Sequence, residues 1–192
     1  MTTVGFPADT VLHTKDGTKT IKEIVDKRYK GPILSYDINQ NKTKYVVIDD
    51  WFMNEAETEF PRQSNWLKIK TDTGSLVCTA KQELLWIYEG DGQIFTFFFP
   101  VENNFHKHVG KHLLFLTIEQ CYNNTAEGPR EYYCDAVAIS TTMVVGIEEI
   151  DMMQPSYGIF VEDNNPFVVN GMVVSDPRRR AVLYDTVTLS IP

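Results

Sequence analysis

Long apolar runs are absent from this sequence. The longest, Ile94 to Pro100, falls far short of the roughly 20 residues a membrane helix requires. It reads as a strand, and no membrane contact is expected. Met1-Thr2-Thr3-Val4 has no basic region followed by an apolar stretch, so no secretion signal is expected either. Cysteine is scarce: Cys78, Cys121 and Cys134, an odd number at irregular spacing, do not form a disulfide framework. Cys78, inside Leu76-Val77-Cys78, reads as a small core residue. These absences point to a reducing, cytoplasmic setting, where the Asn123-Asn124-Thr125 sequon is incidental. Positive charge is also short. Lys and Arg number 18 against 26 Asp and Glu, a formal net charge of −8. Such a surface repels a phosphate backbone, and no nucleic-acid partner is expected. The run Arg178-Arg179-Arg180 is too small to reverse that.

What remains is an ordinary folding composition. Apolar residues make up 43% and charged residues 23% of 192, which is globular rather than disordered. A chain of this length buries a core without metal, disulfide or cofactor. Strand signals dominate. Asp9 to Thr14 is apolar and β-branched, with a turn at Lys15-Asp16-Gly17. Thr20 to Arg28 is the one helical stretch, with Ile21, Ile24 and Val25 on one face and Lys30-Gly31-Pro32 as its stop. Further strands are expected at Ile33 to Tyr36, Tyr45 to Phe52, Trp66 to Thr71, Leu76 to Thr79, Leu84 to Tyr88, Ile94 to Phe99, Leu113 to Ile118, Asp135 to Glu149, Tyr157 to Val161 and Phe167 to Ser175. Asn123 to Arg130 reads as an exposed loop. Many short strands between turn signals predict an all-β domain.

After Asp176-Pro177 the character changes. Residues 177–192 read as a C-terminal extension to a 1–176 domain. Arg178, Arg179 and Arg180 are followed by Val182, Tyr184, Val187, Leu189 and Ile191 with Thr and Ser between them. That is one good strand with no sequence-adjacent partner, a template for adding to another sheet edge. These eight residues are the expected docking residues for a protein partner or a second copy.

Three separated segments resemble the motifs of the Hint (Hedgehog/intein-like) family. Gly5-Phe6-Pro7-Ala8-Asp9-Thr10-Val11-Leu12, with Asp16-Gly17 and Ile21 to Ile24, resembles the N-terminal motif. Trp66 to Leu85, containing Thr79-Ala80-Lys81-Gln82, resembles the second. Tyr157 to Glu162 with Asn170-Gly171-Met172-Val173-Val174-Ser175-Asp176 resembles the C-terminal motif. The resemblance implies an all-β horseshoe of two pseudo-twofold-related β subdomains with one short helix and both chain ends at one site.

The resemblance also implies which positions would carry self-cleavage and splicing. The family nucleophile, usually a cysteine attacking the preceding carbonyl, matches Gly5. The histidine that protonates the departing nitrogen matches Gln82, which hydrogen-bonds but does not shuttle protons. Thr79 is retained. The acid of the C-terminal motif matches Gly158, the penultimate histidine Ser175, and the cyclising asparagine Asp176. Pro177 follows where Cys, Ser or Thr receives the spliced chain. With only Met1 to Val4 ahead of Gly5, little upstream is expected to be spliced. The expectation is a catalytically inactive intein-like domain acting as a structural or protein-interaction module. Because the family travels with mobile and viral genomes, a phage assembly and a virion location are its implied setting. The alternative is residual autoproteolysis at Asp176-Pro177, whose acid lability needs no enzyme.

Three other features have blander readings. His106, His108 and His112 have metal-like spacing but read as an exposed loop. Phe95, Phe97, Phe98 and Phe99 read as core. Glu55, Glu57 and Glu59 read as a solvated loop, and no metal site is expected.

Overall fold

The computed structural model describes residues 4–55, 66–90, 93–101, 105–123 and 131–179, with side chains described except at 90, 93–94, 105–106, 119–123 and 131–137. Thirteen strands and one helix occur within them: β1 (Val11–Thr14), β2 (Gly17–Thr20), α1 (Ile21–Asp26), β3 (Pro32–Asp37), β4 (Lys42–Asn54), β5 (Trp66–Thr71), β6 (Ser75–Thr79), β7 (Glu83–Gly90), β8 (Gln93–Pro100), β9 (His112–Asn123), β10 (Glu131–Ile150), β11 (Ser156–Val161), β12 (Phe167–Val169) and β13 (Met172–Val174). No described helix is long and apolar enough to cross a membrane.

The strands form one continuous path, β11-β4-β3-β1-β12-β13-β7-β9-β10-β5-β6, with β2 paired to β1 and β8 to β7. Every described pairing is antiparallel. Several central strands are buried on both faces. In β7, Leu84 and Trp86 join one buried cluster while Leu85 and Ile87 join another. Successive side chains point to opposite faces of a strand, so a sheet with a core on each side needs continuous apolar runs. β12 does the same: Phe167 and Val169 face one core and Val168 the other. There the sheet curls so that both of its faces are covered, while β4 and β10 keep a wet face, with Val47 and Val145 exposed. Full burial of each Leu or Ile contributes about 1.5–3 kcal/mol.

Three elements differ from the sequence reading. Gly17 to Thr20 is a strand, not merely the exit of a turn. Leu12 pairs with Lys19 and Thr14 with Gly17, and the turn is closed by Thr14 Oγ1, which donates to the Gly17 carbonyl at 2.7 Å and accepts from Asp16 N at 3.0 Å. The helix is correspondingly shorter. Thr20 is its N-cap in a capping box with Glu23, an arrangement of about 1 kcal/mol. The helix ends at Asp26 because Arg28 turns to φ +50°. Phe167 to Ser175 is likewise not one strand but the β12–β13 hairpin. Asn170 (φ +47°) and Gly171 (φ +81°) make its two-residue turn, the left-handed pair that Asn-Gly favours. Asn170 Oδ1 accepts from Val11 N at 3.0 Å, which ties the turn to β1.

Cys78 is buried, and burial pushes its thiol up to about 12, so it is an inert core residue. The side chains of Cys121 and Cys134, the sequon residues Asn124 and Thr125, and Glu57 and Glu59 lie outside the described residues. So do Arg180, Val182, Tyr184, Val187, Leu189 and Ile191.

Candidate functional site

The two ends of the strand path, β11 and β6, are joined by the residues at the start of the chain. Phe6 exchanges backbone hydrogen bonds with Tyr157 of β11, Phe6 N to Tyr157 O at 2.8 Å and Tyr157 N to Phe6 O at 2.9 Å. One residue earlier, Gly5 is clamped by Thr79 at the end of β6. Gly5 N donates to Thr79 Oγ1 at 3.0 Å, and Thr79 N donates to Gly5 O at 3.0 Å. Gly5 has φ +150°, and a Cβ there would lie 2.8 Å from the Tyr157 carbonyl oxygen and 3.1 Å from Ser156 Cβ. Backbone conformation and space both require glycine.

From Thr79 the hydrogen bonds continue to the other end of the domain. Gln82 N donates to the Thr79 carbonyl at 3.0 Å, and Gln82 Nε2 donates to the Ser175 carbonyl and the Glu83 carbonyl, each at 3.2 Å. Ser175 N in turn donates to the Glu83 carbonyl at 3.1 Å. Gly5, Thr79, Gln82 and Ser175 thus form one hydrogen-bonded chain between the N-terminal and C-terminal motifs. Thr79, Gln82 and Ser175 are all buried, and Gln82 Oε1 has no partner. Sequence reading missed Glu83. Burial raises its carboxyl above the usual range, against the lowering effects of Ser175 and Arg179.

Asp176 is 0% exposed. Its Oδ2 accepts from Val161 N at 2.7 Å and its Oδ1 from Arg178 N at 2.6 Å. The Arg178 guanidinium closes on both oxygens, Nη2 at 3.2 Å and Nε at 3.3 Å. The same Nη2 reaches Asp49 Oδ2 at 3.0 Å, and the guanidinium lies 4.9 Å over the Phe160 ring. Arg179 N donates to the Asp176 carbonyl at 2.9 Å, and the Arg179 guanidinium lies 4.6 Å over Phe98. The sequence reads both arginines as partner-docking residues; in the structure they hold the 176–179 turn to the body of their own chain. Asp49 carried no sequence signal for this role, because its partner is 129 residues away.

Gly158 sits opposite Phe52 in the β11–β4 ladder. A Cβ at Gly158 would lie 2.0 Å from the Phe52 ring, so the ring occupies the space a side chain would need.

The curled antiparallel sheet matches solved intein structures. The PabCDC21-1 intein superposes with a TM-score of 0.64 at 16% identity, over 90% of this chain and 98% of that one. The DnaX mini intein from Spirulina platensis gives 0.59 at 18% identity, over 88% and 98%. The chain has the Hint fold of inteins. A DnaB intein from Synechocystis sp. PCC 6803 agrees, with a TM-score of 0.55 at 14% identity over 91% and 99%. No family model and no curated protein matches the sequence.

Within the Hint fold, the positions assigned from the motifs fall together: Gly5, Thr79, Gln82, Ser175 and Asp176 line the junction of the two chain ends, with Gly158 beside it on β11. The histidine loop is elsewhere. His108 stacks on Trp86 at 4.4 Å and meets Phe99 at 6.0 Å. The His106 side chain lies outside the described residues, and no cluster of three His, Cys, Asp or Glu converges among the described residues. His108 is buried, contrary to the exposed-loop reading, because the short 3-10 turn Phe105–His108 lays its ring on Trp86. Its Nδ1 has no partner, and burial, with Lys111 nearby, lowers its pKa.

The sign of the pH effect follows. A histidine with a folded pKa below its unfolded value of about 6.5 costs nothing above that value. As pH falls below it, the unfolded chain takes up a proton that the folded chain refuses. Stability is therefore expected to fall from about pH 6.5 downward, with His13, whose pKa burial also lowers, contributing alongside. Urea midpoints at neutral and mildly acidic pH check this. His108→Leu should lose less stability on acidification than the parent, and an identical loss would remove His108 from the account.

Proposed function

We propose that this chain is a catalytically inactive intein-like domain serving as a structural or protein-interaction module, in the phage assembly that its family resemblance implies, and self-associating through its C-terminal tail. Gly5 carries the reading. An acyl shift needs a nucleophilic side chain at the residue following the scissile carbonyl. Here there is none, and a Cβ would collide with the Tyr157 carbonyl oxygen at 2.8 Å. The C-terminal half supports the same reading. Release of a downstream segment needs a side chain free to attack its own backbone carbonyl, and the Asp176 carboxylate is held by two backbone N–H groups and Arg178. Gln82 supplies hydrogen bonds in place of proton transfer.

The test is the intact mass of purified protein after long incubation at neutral pH, with and without a thiol. A single species at 22.0 kDa is expected in both. A fragment ending at Asp176 would replace this reading with residual autoproteolysis at Asp176-Pro177.

A further inference from the structure

Cations are in the minority in this chain, yet they gather in one place. Residues 15–30 carry six Lys and Arg against three Asp and Glu, a net +3. The rest of the chain therefore carries −11 (−8 − 3). Folding brings the segment onto one surface. The β1–β2 turn meets the start of β3, where Lys15 N donates to the Pro32 carbonyl at 3.2 Å. Lys30 stands just before Pro32 in the chain, so the two ends of the segment adjoin. Trp51 of β4 joins them, its Nε1 donating to the Tyr29 carbonyl at 2.9 Å.

The acids of the segment are already engaged. Asp16 accepts from the Tyr29 hydroxyl at 2.8 Å. Glu23 belongs to the capping box and faces Lys27 at 3.9 Å, and Asp26 is paired with Lys22. Lys15, Lys19, Arg28 and Lys30 are left with no ion pair among the described residues. Three of these four are held over rings. The Lys15 ammonium lies 5.2 Å from the centre of the Tyr45 ring, Lys19 5.1 Å from Tyr29 and Lys30 5.2 Å from Trp51. A ring face attracts an ammonium without neutralising its charge. The lysines therefore stay positive, and being already placed they lose less freedom when a partner's carboxylate arrives.

Two observations favour carboxylates over nucleic acid as the anions. The ring faces beneath the lysines are not open to stacking bases. A long phosphate backbone running past the segment would also meet a body of charge −11, whereas a short acidic peptide spans only the positive surface. We propose that this surface docks an acidic polypeptide segment of a partner protein, with Lys15, Lys19, Arg28 and Lys30 as its contacts. The proposal rests on the reading of the chain as a protein-interaction module and names the chemistry of the partner.

Fluorescence anisotropy of a labelled oligoglutamate peptide titrated with the full chain tests it. Binding is expected at low ionic strength and should weaken as salt rises. The triple variant Lys15→Gln/Lys19→Gln/Lys30→Gln should bind more than about tenfold more weakly, since each exposed pair contributes up to about fivefold. Lys68→Gln/Lys107→Gln/Lys111→Gln removes the same charge from elements outside the surface and is expected to bind as the parent does. Lys15→Arg/Lys19→Arg/Lys30→Arg keeps both charge and ring contact and should also bind as the parent does. Arg28→Gln guards against a folding defect in the first triple, because the Arg28 side chain makes no hydrogen bond or ion pair among the described residues; it should weaken binding by up to about fivefold. If the peptide does not bind the parent, or if both glutamine triples weaken it equally, the surface is overturned. An intact 22.0 kDa chain in the same samples would then leave the inactive-module reading standing. If an oligothymidylate binds more tightly than the peptide and is lost in the same variants, the surface serves nucleic acid and the acidic-protein proposal fails. A fragment ending at Asp176 in those samples would overturn the module reading and the proposal with it.

Discussion

Gly5→Cys is expected to restore no cleavage and to lower stability by about 2–4 kcal/mol. Restoring the family nucleophile is the obvious repair, but the site has closed around its absence. At φ +150° an L side chain is strained, and its Cβ would lie 2.8 Å from the Tyr157 carbonyl oxygen. The segment has no easy way to shift. Gly5 is bonded to Thr79 through both its N–H and its carbonyl, and Phe6 to Tyr157 through both of its own. Moving residue 5 outward sacrifices these bonds at the closure of the sheet. Denaturant unfolding measures the stability. Intact mass with and without thiol detects loss of the first four residues. A variant as stable as the parent, or one that sheds those residues, would show that the backbone relaxes and that only the missing thiol silences the site.

The second large effect is expected at Asp176. Asp176→Ala should cost about 3 kcal/mol, because it leaves two backbone donors and a guanidinium facing an empty buried position. Val161 N and Arg178 N lose their acceptor. Arg178 keeps Asp49 and some solvent, its side chain being 39% exposed, so the charge contributes less than a fully buried partner would. Asp176→Asn should cost less, since the amide oxygen still accepts one of the backbone bonds. It should also leave the chain intact, although asparagine is the family's cyclising residue, because Gln82 and Ser175 stand where the family has histidines. Paired urea titrations and mass spectra of the two variants check both points. Equal stabilities for Ala and Asp would mean that the Arg178 network contributes nothing net.

These expectations draw unequally on sequence and structure. The three motif segments were legible because each is a local pattern: a turn dipeptide, a β-branched run, or Thr-x-x at the end of a hairpin. Asn170-Gly171 enters the sequence reading only as part of the C-terminal motif, and Phe167 to Ser175 reads as one strand. The hairpin that pairs Val169 with Met172 is carried locally by the Asn-Gly pair alone, against the continuous apolar run on either side of it. The helix was found from its Ile21 and Ile24 spacing. Its end was misplaced because Lys30-Gly31-Pro32 is a stronger stop signal than the left-handed Arg28 that terminates it.

The role of Arg178 shows the other limit. A run of three arginines before a strand reads as a solvated docking segment when its only known neighbours are in sequence. Asp49, Val161 and Phe160, which surround it, are brought there by the β11–β4 ladder. The ring of Phe52 over Gly158 is a product of the same ladder.

The sequence by itself determined that this chain is all-β, that it resembles Hint domains, and that the resemblance matches Gly5, Gln82, Ser175 and Asp176 to the family's nucleophile, histidines and terminal asparagine, because residue identity and short-range periodicity are local properties. Only the tertiary structure decided how those positions are packed, with Gly5 clamped by Thr79, Phe52 over Gly158 and Asp176 held by Arg178. Space, backbone angle and ion pairing at the junction of the two chain ends depend on residues that the curled sheet brings together from distant parts of the chain.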